Sequence, residues 1–368
     1  MNSPELWFIR SDVDHLEFSI KSNTFEIIMH AGTNYSLKEV ILWTRRDIYT
    51  IFILSFIPTA LYVFLDWHWL ALPWLPIALL GTAVAFVVGF KNNASYDRTW
   101  EARKIYGGIV NSSRVWGLMV KDYVTNKHSQ KQHSQEELNQ IHKELYNRHF
   151  AWLTALRYQL REKRNWESIY KAHNQEYKDQ WFTIDEHKIP LTEALKYYLS
   201  EEELQLILSK SNKAAQLISI QSKRLRELLE LGLIEDFRHM EMKKVLAEFL
   251  NNQGAAERIK NFPYPRQYAT LNLWFVKLFV LLLPLGMLSE FDKLGGNFVW
   301  FTVPFSVMSG WVFTTMEKIG EASENPFEGS ANDVPITSMS RMIEIDLKEM
   351  LHETDIPEAI KPKNNIIN

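Results

Sequence analysis

No charged side chain interrupts the chain between Trp67 and Phe90, and no proline separates Ile77 from the charged stretch that follows. Crossing a bilayer takes about 20 apolar residues in a helix. The segment Ile77 to Arg103, IALLGTAVAFVVGFKNNASYDRTWEAR, together with the apolar lead-in from Leu70 to Pro76, meets that length. It then continues unbroken into polar sequence. Such a helix leaves the membrane in mid-stride. Thr82, Phe86 and Phe90 recur every four residues and share one helix face.

Three further runs have the same character. Ile48 to Leu65 is uncharged, with Pro58 inside it, and ends in Asp66-Trp67-His68-Trp69, a polar and aromatic pattern suited to a membrane interface. Tyr268 to Leu288 is apolar apart from Lys277, whose place in the first half of the run favours snorkelling to the near interface. Leu294 to Met316 is uncharged. Short connections, the second a polar loop over Ser289 to Lys293, predict two hairpins. Arg45, Arg46, Lys91, Arg98, Arg103, Lys104, Arg258, Lys260, Arg266 and Lys318 all flank the same ends of the four runs. The positive-inside rule then places both termini, and everything between the hairpins, in the cytoplasm.

From Lys91 to about Lys260 charges are dense and helix formers dominate. Helices are predicted over Trp100–Val124, Glu136–Arg161, Thr192–Ser209, Ala214–Leu231 and Asp236–Asn251, the last ended by Asn252-Gln253-Gly254. Another amphipathic helix is expected around Met339 to Leu351, with a mobile tail after Pro362. Near the start, Phe18, Ile20, Phe25, Ile27, Ile28 and Met29 fit either a short amphipathic element or an irregular arm. The expected organisation is an N-terminal cytoplasmic arm (1–43), a first transmembrane hairpin (44–100), a helical cytoplasmic body (101–262), a second hairpin (263–318) and a C-terminal segment (319–368).

Composition narrows the function classes. With 46% hydrophobic and 23% charged residues the chain is too polar to lie wholly in a membrane, so a few spans must carry a large water-facing part. The net charge of -3 gives no basic signature for nucleic acid. There is no cysteine, which removes disulfides, thiolate catalysis and cysteine metal sites. No basic region with an apolar core opens the chain, so no cleaved signal peptide is expected. His128, His133, His142 and His149 are scattered over polar helices and a loop, without metal-ligand spacing. No phosphate loop, dinucleotide fingerprint or nucleophile elbow occurs, so neither an enzyme nor a cofactor is expected. Glu317 and Glu321, one turn apart, read either as a cation site or as a pair that is solvated or neutralised by a neighbour such as Lys318.

The stretch GFKNNASYDRTWEARKIYGG (Gly89 to Gly108) resembles the bacterial branch of the bestrophin family, with its pattern GFxNNxxYxRxxExRxxWG. Gly89, Phe90, Asn92, Asn93, Tyr96, Arg98, Glu101, Arg103 and Gly107 match, and Tyr106 stands where Trp is usual. RIKNFPYPRQYA (Arg258 to Ala269), ENPFEGSANDVP (Glu324 to Pro335) and RMIEIDL (Arg341 to Leu347) resemble the family's later segments. The resemblance implies an all-α membrane protein, four transmembrane helices with a helical cytoplasmic body, assembled as a homopentamer around one central pore in the bacterial inner membrane. It places a neck of apolar rings on Thr82, Phe86 and Phe90, the Thr82 ring being wider and wetter than the usual aliphatic. It places a second, cytoplasmic constriction near the start of the helix at Asp236, with Phe237, Arg238 and Met240 as candidates. In animal members the segment after Asn-Pro-Phe clasps calcium. Here only Glu328 and Asp333 offer carboxylates in the corresponding six residues, too few for that ion, and Asn332 and Asp333 read as turn or cap residues.

The reading is therefore a passive channel for small monovalent ions, its partners being its own copies, membrane lipid and the permeant ion. Chloride and cation selectivity are both open, because phenyl edges suit an anion and phenyl faces a cation. The alternative is a non-conducting scaffold or receptor whose cytoplasmic helices bind a partner and whose phenylalanine stripe packs against a neighbouring helix. A carrier is weaker still, for want of a broken span or inverted repeat.

Overall fold

The computed structural model describes residues 34–129, 131–364 and 366–367. The apolar cluster from Phe18 to Met29 lies outside the described residues. Among those described, every named element is a helix, and the sole β feature is an isolated bridge between Lys363 and Ile366.

Among the described residues, four helices are long and apolar enough to cross a membrane. The first, α1 (Leu37–Phe64), begins at a capping box: Ser36 Oγ accepts from the Glu39 N–H at 3.2 Å, and Glu39 Oε2 accepts from the Ser36 N–H at 2.7 Å. The second, α2 (Trp74–Tyr123), runs for 50 residues, about 75 Å at the usual rise per residue. Its prolines are confined to the start, where Pro73 caps it and Pro76 falls in the first turn, positions that need no N–H partner. Nothing between Ile77 and Tyr123 stops it, as its sequence predicts. The other two spans are α9 (Arg266–Asp292) and α10 (Thr302–Ser323), the latter led in by a 3₁₀ turn over Gly296–Phe301.

These four form one layer. α1 packs chiefly on α10 and α9, and α2 also packs on α9 and α10, so the first hairpin is held together through the second. The core between them is Ile51, Ile77, Val84, Val88, Val276, Phe279, Val280 and Leu283. Lipid is as apolar as these side chains, so close approach rather than water expulsion holds such helices. Gly81 provides it: a Cβ there would sit 2.6 Å from the Phe279 ring.

The polar body is built from α3 (Gln135–Arg161), α4 (Ala172–Trp181), α5 (Leu191–Lys196), α6 (Glu201–Leu208), α7 (Lys213–Glu230), α8 (Asp236–Asn261) and α11 (Ile336–Met350), gathered around the second half of α2. Its core is large and aromatic, with Tyr106, Trp116, Trp152 and Phe249 all fully buried. Among the described residues α2 is the helix that runs through both layers, while α1 and α10 touch the body at their near ends, through α4 and the 168–171 segment.

Several boundaries differ from the sequence reading. α8 runs through Asn252-Gln253-Gly254 to Asn261, because its buried face, which includes Gln253, continues past the glycine through Ala256 and Ile259. The cost of an interior glycine, about 1 kcal/mol, is outweighed by that packing. The supposed loop at Ser289–Lys293 is mostly helix, α9 ending at Asp292, and Ser289 returns its hydroxyl to the Gly286 carbonyl at 3.0 Å. The single helix expected over Thr192–Ser209 is two, α5 and α6, with Ser200 capping the second. His142 and His149 are core residues, not polar-face ones: His142 bonds the Val124 carbonyl at 3.0 Å and His149 the Ser113 hydroxyl at 2.9 Å. Nor does the chain end hang free, since Ile366 is buried with Ile169, Phe182 and Ile184.

Candidate functional site

In its first half, α2 turns Ile77, Gly81, Val84 and Val88 inward. Thr82, Phe86 and Phe90 lie on the opposite side, and Phe86 and Phe90 are 66% and 70% exposed. The stripe is therefore not packing within one protomer. The threonine hydroxyl is occupied by its own helix, donating to the Ala78 carbonyl at 3.0 Å. The Thr82 proton is therefore not offered outward, and Phe86 and Phe90 present hydrocarbon.

Below Phe90 the exposed side of α2 turns polar, through Asn93, Tyr96 and Asp97, and Tyr96 stacks on Trp100 with ring centroids 6.4 Å apart. Gly89 faces open space: a Cβ there would meet nothing within 4 Å. Asn92 lies against Gly320 of α10. Glu101 pairs with Lys104 at 2.8 Å, and Arg103 is half-buried one turn below Thr99.

The opening turn of α8 separates the three other candidates. Phe237 and Met240 are 77% and 57% exposed on one side of the helix. Arg238 turns back onto the body, its guanidinium 5.4 Å from the Tyr123 ring centroid and 3.7 Å from Glu235. The neutral pair and the arginine therefore do not share a surface.

The side of α2 facing away from the phenylalanines carries charge that the sequence reading did not place there. Lys91 is 2% exposed, and its ammonium donates to Glu317 Oε1 at 2.5 Å and lies 3.9 Å from Glu324 Oε2. Glu317 and Glu321 are thus neutralised by basic neighbours, though not by Lys318. Glu321 is matched by Lys171, and Lys318 by Asp47. Seven residues below Lys91, Arg98 donates to the carbonyls of Glu324 (2.9 Å), Phe262 (2.9 Å) and Ile259 (3.2 Å). The last carbonyls of a helix have no partner of their own, so Arg98 caps α8 and ties it to the end of α10. Lys91 is legible only as an interfacial charge in the sequence. The usable signal was its spacing of seven from Arg98, which puts the two on one helix face, about a quarter-turn round from Phe90.

The segment after α10 is drawn around Asp333. Its carboxylate accepts from the N–H groups of Phe327 (2.7 Å), Gly329 (2.6 Å) and Val334 (2.6 Å) and pairs with Arg161 at 2.7 Å. Asn332 accepts from the Tyr35 hydroxyl at 2.7 Å. Glu328 accepts from the Ser168 N–H at 2.9 Å and its hydroxyl at 2.8 Å. Burial, more than the neighbouring Asp333 and Glu167, pushes its carboxyl up to about 8. Both carboxylates weighed for calcium are engaged by protein donors. Lys277 extends from the outer face of α9, its ammonium 5.5 Å from the Trp274 ring centroid.

A helix long and apolar enough to cross a membrane that carries an uncovered phenylalanine stripe and continues into a helical body defines the class: an all-helical membrane protein. The chain belongs to the bacterial and fungal bestrophin family, whose model matches residues 35–349. It is 27% identical over 288 residues to the voltage-dependent anion channel-forming protein YneE of Escherichia coli K12, covering 78% of this chain and 80% of that one. It is also 27% identical over 326 residues to a voltage-dependent anion channel-forming protein of Ralstonia nicotianae, covering 87% and 91%. The fold is shared with a bacterial bestrophin homologue from Klebsiella pneumoniae, with a TM-score of 0.69 at 24% identity over 84% of this chain and 98% of the other.

Proposed function

We propose that five copies of this chain surround a common axis and form a passive channel for small monovalent ions, anions foremost. The observation that carries this is the exposure of Phe86 and Phe90 on a helix whose other side is fully packed. A single protomer encloses no path, but a ring of copies that turns this stripe inward makes a narrow apolar neck. Such a neck resists wetting and gates on small widening. Phe237 and Met240, exposed at the start of α8, would form the lower, neutral constriction, with Arg238 held out of it. The body and both termini are cytoplasmic in this reading, since the basic residues crowd that end of the spans. The outer apolar faces, such as Phe52, Phe56 and Leu278, meet lipid of the bacterial inner membrane. Anion preference rests on the names of the two relatives, each an anion channel-forming protein. The chain acts as a channel and not as an enzyme.

The test is ion flux from liposomes holding the purified protein, with Cl⁻ and Na⁺ followed separately, and reversal potentials in asymmetric NaCl. Cl⁻ is expected to pass faster than Na⁺, and Phe86→Ala with Phe90→Ala to raise the flux on the order of tenfold, ~1.4 kcal/mol of barrier. A well-folded pentamer that passes neither ion would replace this reading with the scaffold one.

A further inference from the structure

Lys91 follows Phe90 directly, so its side chain leaves α2 about 100° round from the phenyl ring. It enters the seam between α2 and α10 and meets Glu317, both residues being almost wholly buried (2% and 5% exposed). Glu324, seven residues after Glu317, stands 3.9 Å from the same ammonium and is also reached by Arg266 at 3.4 Å. Arg98, seven residues after Lys91, holds the Glu324 carbonyl. Two basic residues on one face of α2 therefore meet the end of α10 across two helical turns. The seam is tight here as well, since a Cβ at Gly320 would overlap the Asn92 side chain.

A buried ion pair adds little net stability compared with apolar residues of the same volume, but breaking it strands a charge. It therefore penalises every rotation of α2 against α10 except the one that keeps Lys91 on Glu317. An apolar seam would tolerate slip. On the channel reading above, we propose that Lys91 and Glu317, with Glu324 and Arg98 below them, lock the rotation of α2 and so set how far Phe86 and Phe90 project into the neck. They are positioning residues for the gate and line no part of the ion path.

The test compares the lock in two necks. Glu317→Gln, and the charge-balanced Lys91→Met with Glu317→Met, are each made in the native chain and in the Phe86→Ala, Phe90→Ala background. Liposome flux and single-channel recordings in planar bilayers are read in all of them, with pentamer content checked by size-exclusion chromatography. In the native neck both variants are expected to raise flux severalfold through open probability, with unitary conductance unchanged. In the alanine neck, where projection no longer limits conduction, they are expected to change nothing. An equal factor in both necks would make the pair ordinary fold support and overturn the proposal. So would no change in the native neck from either variant while the pentamer persists. Silence of the native and alanine-neck channels alike would overturn the channel reading itself, a result separate from either of these.

Discussion

The two halves of α2 are one helix held by opposite means. From Trp74 to Phe90 its packed side is small and aliphatic, Gly81 against Phe279 being typical, and its exposed side is apolar. From Lys91 to Tyr123 its packed side carries Tyr106, Ile109 and Trp116 into an aromatic core, and its exposed side is largely polar. Water explains the lower half, where burying large rings removes apolar surface from it. The upper half gains nothing that way in lipid and depends on close contact. Where the two regimes meet, between Phe90 and Arg98, neither works alone, and the chain places ion pairs there.

If the halves differ in this way, truncating a large side chain should harm the lower one most. Trp152 is fully buried, 4.8 Å from the Phe249 ring by centroids, with its indole N–H on Gln253 at 3.0 Å. Trp152→Ala is expected to cost about 4 kcal/mol, read as a lower thermal unfolding midpoint in detergent. A loss below about 1 kcal/mol would mean the body core is not what holds that layer.

The same core makes stability depend on pH. His149 is enclosed by Trp116, Trp152 and Phe249, and burial brings its pKa down from 6.5 to about 3. The folded state keeps the imidazole neutral while the unfolded chain takes up a proton below about 6.5. This contribution is therefore complete above that pH and is lost as the pH falls towards 3, reaching about 3 kcal/mol near pH 4. His149→Gln removes the titrating group, and its unfolding midpoint should fall less steeply between pH 6.5 and 4 than that of the parent. Parallel slopes would place the acid sensitivity elsewhere.

The upper half should respond to the opposite change. Gly81→Val has no room against Phe279, and overpacking of this kind costs roughly 1–3 kcal/mol. The thermal midpoint in detergent should fall accordingly, whereas Gly89→Val, which faces open space, should leave it in place. Equal effects would show that the spans are not held by close approach at this crossing.

Much of this contrast was legible in the residues, and the part that was not has a physical cause. Hydropathy finds the four spans because lipid tolerates no other composition, and α2 reads as continuous because nothing in it breaks a helix. That Phe86 and Phe90 share one face follows from spacing alone, but that the face is exposed does not, since the same spacing fits a stripe packed against a neighbouring helix. What stayed hidden depends on partners distant in sequence: Lys91 and Glu317 are 226 residues apart, so each reads locally as an ordinary interfacial charge. Gly254 and Ser289 read as breakers for a related reason, since only the faces packed around them keep α8 and α9 going. The burial of Ile366 likewise needs Ile169, Phe182 and Ile184, nearly 200 residues earlier.

The smallest expected effect concerns the top of the stripe and sharpens what counts as apolar there. Thr82 is expected from its composition to make a wider, wetter ring than an aliphatic residue would. Its hydroxyl, however, donates to the Ala78 carbonyl, so that proton is not offered to water or to an ion. Width and wetness then separate. Thr82→Val keeps the volume and removes the hydroxyl, and Thr82→Leu adds bulk. If the hydroxyl is spent on its helix, the valine variant should change liposome flux by less than about twofold, under ~0.4 kcal/mol of barrier, while the leucine variant should lower it further. A large drop with valine would mean that the hydroxyl leaves Ala78 to solvate the path, and that the neck is polar at this ring and apolar only at Phe86 and Phe90.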